Sequence, residues 1–536
     1  MLYKFKKTVA AADPDFASAS AAKPPEPEPG PGVSKMPAGD VAQLEQLLQS
    51  LQGKAGLYTH PRPETQALLE LIEGTRLLLD QHYDPYIVFE TPEKRMVVGV
   101  LTADFRRHLS TLYQDKYSRA PRRMALFEAV HEIETRASAA GEIGRVHLRR
   151  ALTEDSLWLD LGDNQGRVVR IDKEGWRVLT GAPVYFRRYR HQLPLPVPEP
   201  GGDVEQFCGL LRVTDPGDLL LLMAWIIAAY NPEIPVPMLV LTGPRGSGKT
   251  TLARIIRRLV DPSRAEVMGL PSETMFAQVL DHHCLPIFDN LGPLTPRQSN
   301  LLCRGVTGLS LVRRRNYSDS DDVIVGERRP MILTALEPPG DAPDWLDRAL
   351  VLRLPHIDRR LRFEEVRIMG MFERLQAKFL GLMMTRLSAA YAVYRAMPLP
   401  RDLPRMADFA VWGEALAGSL GYGAKMFLAA LDRNSYLQNE ALLERDETGQ
   451  AVVQFMQDKS EWKGTVLELL SAMGACGQFR LRHSPARFGR DLRRLQWNLQ
   501  QSGLDVEITR RNGIRTLVLK SHPRPPAETA GVTQAQ

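Results

Sequence analysis

Met238-Leu-Val-Leu-Thr-Gly-Pro-Arg-Gly-Ser-Gly-Lys-Thr-Thr251 is an apolar run that feeds directly into a Gly-x-x-x-x-Gly-Lys-Thr loop. Leu239 to Leu241 predict a short buried strand, and Leu252-Ala-Arg-Ile-Ile256 opens a helix straight afterwards. Strand, glycine-rich loop and helix in that order form the Walker A pattern, which predicts nucleoside-triphosphate binding. Gly243, Gly246 and Gly248 let the backbone curl, so that the N–H groups around Ser247 and Gly248 face a phosphate. The helix that follows adds its positive end at the same point. Lys249 is placed to reach the β- and γ-phosphates and Thr250 to hold Mg²⁺, with Thr251 completing the cradle. ATP and Mg²⁺ are the cofactors this loop calls for. The alternative is a glycine-rich turn with no ligand, which gives no reason for the flanking strand and helix.

A phosphate loop needs an acidic strand nearby to hold the cation. Cys284-Leu-Pro-Ile-Phe-Asp289-Asn290 supplies an apolar stretch ending in Asp289, the Walker B candidate for Mg²⁺; the alternative is that Asp289 only caps a strand. The next residue is Asn290, where hydrolytic relatives usually carry Glu. Asparagine orients a water by hydrogen bonding but cannot take its proton, so hydrolysis is slow or another carboxylate contributes. Pro330-Met-Ile-Leu-Thr334-Ala335 predicts a further buried strand with one polar residue, Thr334. Downstream, Asp344-Trp-Leu-Asp-Arg348 puts an arginine just before another strand. Between these strands, Leu311-Val-Arg-Arg-Arg-Asn-Tyr317 through Val325 reads as a hairpin with Arg313, Arg314, Arg315 and Tyr317 on its basic side. Cations that track phosphates and an aromatic that stacks on a base suit single-stranded nucleic acid. A surface hairpin neutralised by Asp319, Asp321 and Asp322 is the alternative.

The chain has 536 residues, 44% of them apolar and 25% charged, ordinary figures for a globular protein. Roughly three to four domains are expected at that length. The longest apolar run, Leu219 to Tyr230, is too short to span a bilayer. The N-terminus lacks the apolar core of a signal peptide. Cys208, Cys284, Cys303 and Cys476 show no metal-type spacing and suit a reducing compartment, so no membrane and a cytoplasmic location are expected. The net charge is +6, and the segment Gly464–Lys520 alone carries ten Lys/Arg against four Asp/Glu. A surplus confined to one module suggests a polyanionic partner, nucleic acid first.

Composition divides the chain further. Residues 1–40 are rich in Ala, Pro, Glu and Gly and read as a disordered leader. Residues 41–202 read as an α+β domain, either a collar or a DNA-binding unit, with helices followed by alternating strands such as Arg145–Leu152. The Pro-rich stretch 193–202 marks a boundary. The α/β P-loop core occupies 203–360, a helical region 361–459, a basic module 460–522 and a polar tail 523–536. In the basic module, Ser484-Pro485 predicts an N-cap and first helical residue. The helix after it carries Arg487, Arg490 and Arg494 along one face. Asn512-Gly513 is a hairpin signal, with Arg510, Arg511 and Arg515 near its tip. Helices followed by such a hairpin resemble a winged helix, which uses a helix in a groove and a wing on phosphates, or else makes protein contacts. Two other features draw less weight. His282-His283-Cys284 has no further ligand at metal spacing. Arg187-Arg188-Tyr189-Arg190-His191 is a weak DNA candidate, and Trp158, Trp176, Phe186 and Tyr189 read as core.

The ordered set Leu241 to Thr251, Phe288-Asp-Asn-Leu291, Leu302-Cys-Arg-Gly-Val-Thr-Gly308, Arg314-Arg-Asn-Tyr-Ser-Asp319, Arg329-Pro-Met-Ile-Leu333, Leu346-Asp-Arg-Ala-Leu350, Arg405-Met-Ala-Asp-Phe409 and Trp462-Lys-Gly-Thr465 carries a family likeness. It resembles the AAA+-like, ATP-binding helicase proteins of phages and mobile elements, related to superfamily 3 and poxvirus-type primase-helicases. The resemblance implies a homo-hexameric ring that hydrolyses ATP and moves on single-stranded or forked DNA during replication of a mobile genetic element. It places Thr334 at the sensor position, where Asn is usual, and Arg348 at the position of an arginine finger, although an arginine paired with Asp347 fits the sequence equally. No primase module is recognisable, which leaves priming to a separate protein. The competing functions are a DNA-associated AAA+ switch, such as a loader or regulator, and a nucleotide-dependent scaffold.

Overall fold

The computed structural model describes residues 63–91, 94–308, 311–314, 322–325, 328–397, 403–423, 425–475, 484–511 and 514–522. The leader, Arg315, Tyr317, Asn512-Gly513, Cys476 and the tail lie outside the described residues. The chain divides into two units, Met1–Gln66 and Ala67–Gln536. Of the first, only the opening residues of helix α1 (Pro63–Glu70) are described.

The second unit begins with strands β1 (Arg76–Leu79), β2 (Pro85–Thr91) and β3 (Lys94–Gly99), then helices α2 (Ala103–Tyr117) and α3 (Arg123–Ala140) and strand β4 (Val146–Leu148). A second group of strands follows: β5 (Arg150–Leu152), β6 (Leu157–Asp160), β7 (Arg167–Asp172), β8 (Gly175–Thr180) and β9 (Tyr185–Arg187). The first sheet has the order β1-β2-β3-β9-β4 and the second the order β5-β6-β7-β8. The stretch Arg145–Leu152, expected as one strand, is therefore broken between two sheets. Arg149 makes the break: its φ is 64°, a left-handed value costly for a residue with a Cβ. Its buried guanidinium holds the bend by donating to Asp261 Oδ1 at 3.1 Å and to Leu193 O at 2.8 Å.

The antiparallel sheet of β5–β8 shares an apolar core with the P-loop region. Leu159, Val169 and Ile171 lie in one cluster with Trp225, Leu239, Leu252 and Phe379. The Pro-rich stretch 193–202 is consequently no boundary in packing. It lies against a long helix, with Glu199 N–H donating to Ala377 O at 2.9 Å. A Cβ at Gly381 would stand 1.8 Å from Glu199 O, which accounts for a glycine in mid-helix.

Next come helices α4 (Val204–Leu211) and α5 (Pro216–Ala228), strand β10 (Met238–Thr242) and helices α6 (Lys249–Val260) and α7 (Glu273–His282). They are followed by β11 (Ile287–Leu291), α8 (Pro296–Thr307), β12 (Leu311–Arg314), β13 (Asp322–Val325), β14 (Ile332–Ala335), α9 (Pro343–Leu346) and β15 (Ala349–Arg353). Four of the strands form a parallel sheet of order β11-β14-β10-β15. All five residues of β10 are buried, and a strand covered on both faces reads as an unbroken apolar run. Helix α5 is buried at every position from Leu220 to Ala228, hence its own unbroken run. Asp215 caps it by accepting from Asp218 N–H at 2.9 Å, with Pro216 in its first turn.

The helical region comprises α10 (Glu365–Ala396), α11 (Ala407–Ser419) and α12 (Met426–Arg445). The chain then forms α13 (Glu447–Met456), β16 (Glu461–Gly464), α14 (Val466–Ala475), α15 (Pro485–Gln501), β17 (Leu504–Arg511) and β18 (Ile514–Ser521). The sheet order β16-β18-β17 with helices before and between gives the connectivity of a winged helix. Val452 and Phe455 of α13 share a core with Phe488, Leu492, Leu495 and Leu519. Helix α13, before the expected start at 460, thus packs into the module's core. Strand β16 escaped the sequence reading because its residues alternate between exposed and half-buried without an apolar face. Among the described residues no helix is long and apolar enough to cross a membrane.

Candidate nucleotide and nucleic-acid sites

The loop between β10 and α6 has the geometry its glycines foretell. Gly243, Gly246 and Gly248 have φ values of 138°, 76° and 83°. At Gly243 the need is also steric, since a Cβ there would lie 2.3 Å from Leu354 O. Lys249 folds into the loop and donates to Gly243 O at 2.7 Å and Pro244 O at 2.9 Å. Burial pushes the pKa of its ammonium below the ordinary lysine value, with Asp289 pulling the other way. Ser247 is buried beneath the loop, with Oγ 3.3 Å from Lys249 Nζ.

The sheet order brings three oxygen-bearing side chains to the front of this loop. Strand β14 lies between β10 and β11, so Thr334 reaches the acidic end of β11 while its neighbour β10 leads into Thr250. Thr250 Oγ1 donates to Asp289 Oδ1 at 2.9 Å, and Thr334 Oγ1 donates to the same oxygen at 2.5 Å. Asn290 sits in an irregularity of the β11–β14 pairing with φ 57°, a left-handed conformation that Asn tolerates better than most residues. Its N–H donates to Thr334 Oγ1 at 2.9 Å. Thr334 therefore accepts from one Walker B residue and donates to the other. Asn290 itself is exposed.

A cleft of about 320 Å³ opens beside the loop. Its wall opposite Lys249 and Thr250 includes Arg212, Ile357, Arg362 and Phe363, none of which the sequence singled out. They lie far from the glycine loop in the chain and belong to no motif. A larger cleft, about 590 Å³, lies between α12, α13 and the ends of β17 and β18, and has no phosphate loop in its wall.

Other expected residues fall elsewhere. Arg348 donates to Asp344 O at 2.8 Å and pairs with the Asp344 carboxylate, while Asp347 takes Arg405 at 3.2 Å. Its intrachain partner is thus Asp344, one helical turn back, and not Asp347. Strands β12 and β13 pair antiparallel, setting Arg313 opposite Val323 and Arg314 opposite Asp322; only their backbone is described. The basic run after β9 is turned inward. Arg187 is buried between Tyr86 and Asp281, Arg188 Nη2 binds Asp160 Oδ1 at 2.6 Å, and Arg190 pairs with Asp104. With a carboxylate on each guanidinium, this run does not present the free cationic surface expected for DNA. His283 Nδ1 faces Arg257 Nη2 at 3.0 Å, and its ring lies 4.1 Å from that of His191. Among the described residues no His, Cys, Asp and Glu group has metal-site geometry.

In the terminal module, Ser484 caps α15 by accepting from Arg487 N–H at 3.4 Å. Arg487, Arg490 and Arg493 are exposed. Arg494 is turned back on the P-loop region and α13, with Asp341 at 3.2 Å and Asp446 beside it, so it is the least available of the expected DNA contacts on α15. On the wing, Arg510 and Arg515 are direct cross-strand partners and both exposed. Like charges set opposite one another cost stability, which an anion across the pair would relieve. Only the backbone of Arg511 is described.

Residues 204–435 match the family described as "Actinomycete integrative conjugative element replication protein", and residues 448–530 match the "AICE RepA C-terminal domain". No curated protein matches the chain. Among solved structures, "The A form apo structure of NrS-1 C terminal region-CTR" is 10% identical, with 87% of this chain and 100% of that chain covered and a TM-score of 0.39. "The apo structure of NrS-1 C terminal region (305-718)" is also 10% identical, with 86% and 100% covered and a TM-score of 0.40; likeness at this level carries no argument. The two family matches follow one another along the chain, and over residues 204–435 and 448–530 the chain is similar to the replication proteins of actinomycete integrative conjugative elements.

Proposed function

We propose that the protein is an ATP- and Mg²⁺-dependent motor that acts as a homo-hexameric ring on single-stranded or forked DNA in replication of its element, with DNA helicase or translocase activity. The observation that carries this reading is the convergence of Lys249, Thr250, Asp289 and Thr334 in front of one glycine loop. The residues fit the ligands. The loop offers main-chain N–H groups and a helix N-terminus to phosphate, and Thr250 and Asp289 offer the hard oxygens that Mg²⁺ prefers. Bound Mg²⁺–ATP would supply the reactive phosphoanhydride.

The chain's own residues then have separate tasks. Lys249 exchanges the carbonyls of Gly243 and Pro244 for phosphate oxygens. Thr250 and Asp289 hold the cation, and Thr334 fixes the Asp289 carboxylate. Asn290 orients a water without accepting its proton. The hairpin of β12 and β13, together with Arg313, Arg314, Arg315 and Tyr317, tracks the DNA, while Arg348 is the candidate finger toward a neighbouring subunit.

The second reading, a slow AAA+ switch used as a loader or regulator, is favoured by Asn290 at the water-activating position. ATP turnover measured with and without single-stranded DNA, alongside the mass of the protein with a non-hydrolysable ATP analogue, tests the motor. A hexamer whose turnover rises several-fold on DNA is expected. A monomer with DNA-independent turnover would overturn the ring motor. Replacing both Arg313 and Arg314 with Ala should spare nucleotide binding and reduce the DNA stimulation; unchanged stimulation would remove the hairpin from the mechanism.

A further inference from the structure

The strand beside the phosphate loop does not end its work at Arg353. Leu354 N–H still donates to Thr242 O at 2.8 Å, and the segment from Leu354 to Phe363 then wraps the outside of the loop. It touches each glycine in turn. A Cβ on Gly243 would meet Leu354 O at 2.3 Å, one on Gly248 would meet Ile357 Cδ1 at 3.5 Å, and one on Gly246 would meet Arg362 Nη2 at 2.8 Å. Arg362 is held there by donating to Ile357 O at 3.2 Å, with His356 Nε2 3.4 Å from Nη2. A guanidinium is thus pressed on the phosphate end of the cleft.

The adjoining residue defines the other end. Phe363 is 50% exposed, and two guanidinium carbons lie near its ring, Arg212 Cζ at 5.4 Å and Arg367 Cζ at 4.9 Å from the centroid. Arg212 comes from the end of α4 and Arg367 from the first turn of α10. Phe363 and Arg212 stand in the wall of the same cleft as Lys249, and Arg367 lies over the half-exposed ring from α10. An exposed phenyl ring flanked by planar cations is a stacking platform for another planar ring. The two arginines bring only donors, which match the ring-nitrogen and carbonyl acceptors on the edge of a purine.

We propose that Phe363, with Arg212 and Arg367, is the base-binding end of the site, that it takes a purine by stacking, and that Arg362 binds a phosphate of the same nucleotide. This rests on the nucleotide-binding reading of the loop. Loss of one stacked base is worth about ten-fold or more in affinity.

Equilibrium binding of Mg–ATP and of inorganic tripolyphosphate, measured on the full chain, separates the parts. Wild type should bind ATP at least about ten-fold more tightly than tripolyphosphate. Phe363→Ala should erase that preference while leaving tripolyphosphate binding unchanged, and Phe363→Trp should restore it. Arg362→Ala should weaken both ligands. If Phe363→Ala keeps the preference for ATP, the base site is wrong, and if Arg362→Ala leaves tripolyphosphate unchanged, its phosphate role is wrong. If wild type binds ATP and tripolyphosphate equally, and Lys249→Ala abolishes both, the platform falls while the phosphate loop stands. If wild type binds neither, the nucleotide reading falls and this inference with it.

Discussion

Thr334 has the most to do of any single residue in the site. Its hydroxyl accepts from Asn290 N–H and donates to Asp289 Oδ1, so it fixes a carboxylate and an unusual backbone at once. Valine has the same shape without the hydroxyl. Thr334→Val should remove the hydrogen bonds to Asn290 N–H and Asp289 Oδ1, costing about 1 kcal/mol of stability. Turnover should fall at least about ten-fold, or ~1.4 kcal/mol in the barrier. Stability is read from denaturant unfolding and turnover from phosphate release; unchanged turnover would reduce Thr334 to a structural residue. Gly243→Ala is harsher, because its Cβ meets Leu354 O, and ATP binding should be lost. The glycine loop, Thr250, Asp289 and the sensor threonine were legible because each sits in a motif or closes an apolar strand. The left-handed turn at Asn290 was not, since nothing local marks it. Arg362 and Phe363 were equally hidden, because only the register of β15 against β10 carries them to the loop.

Among elements, pattern revealed strands but not their sheets. Arg145–Leu152 alternates like one strand, yet a buried ion pair between Arg149 and Asp261 breaks it in two. Helix α15 and the wing strands were legible from a cap and a turn signal, and α13 falls inside the expected helical region 361–459, while β16 was missed for want of an apolar face. The end of α7 carries a pH-dependent contact. Arg257 is a permanent donor facing His283 Nδ1, so the imidazole must be neutral to accept. Burial first, then Arg257, lowers its pKa from 6.5 to about 3. Between those values the unfolded chain binds a proton that the folded chain does not, so stability falls as pH drops below 6.5. The loss from this group is about 2 kcal/mol by pH 5. Asp218, pushed up to about 6 by burial, titrates in the opposite sense. The difference in unfolding free energy between wild type and His283→Gln at pH 7.5 and pH 5 isolates the histidine; an identical pH slope in both would contradict it. On the wing, replacing both Arg510 and Arg515 with Ala should weaken DNA binding and lower its salt slope by about 2, while raising stability by about 0.2–1 kcal/mol as the like-charge pair is removed. An unchanged salt slope would place DNA elsewhere.

Across the whole molecule, one apolar core joins the β5–β8 sheet, the parallel sheet and α10, so the boundary expected at residue 202 is crossed by packing. A Pro-rich stretch looks like a linker in sequence because its own residues form no element; the groove that receives it is built by Gly381, far along the chain. The terminal module is tied to the segment after β14 through Arg494 and Asp341, and the end of α12 is tied to the same segment through Arg445 and Glu337. In the proposed motor, ATP turnover at Lys249, Thr250 and Asp289 drives separation of DNA strands. Strand displacement on forked DNA, measured with ATP for wild type and Lys249→Ala, tests it most directly. Wild type should displace the strand, and Lys249→Ala should not. ATP hydrolysis by wild type on that fork without any strand displaced would contradict it.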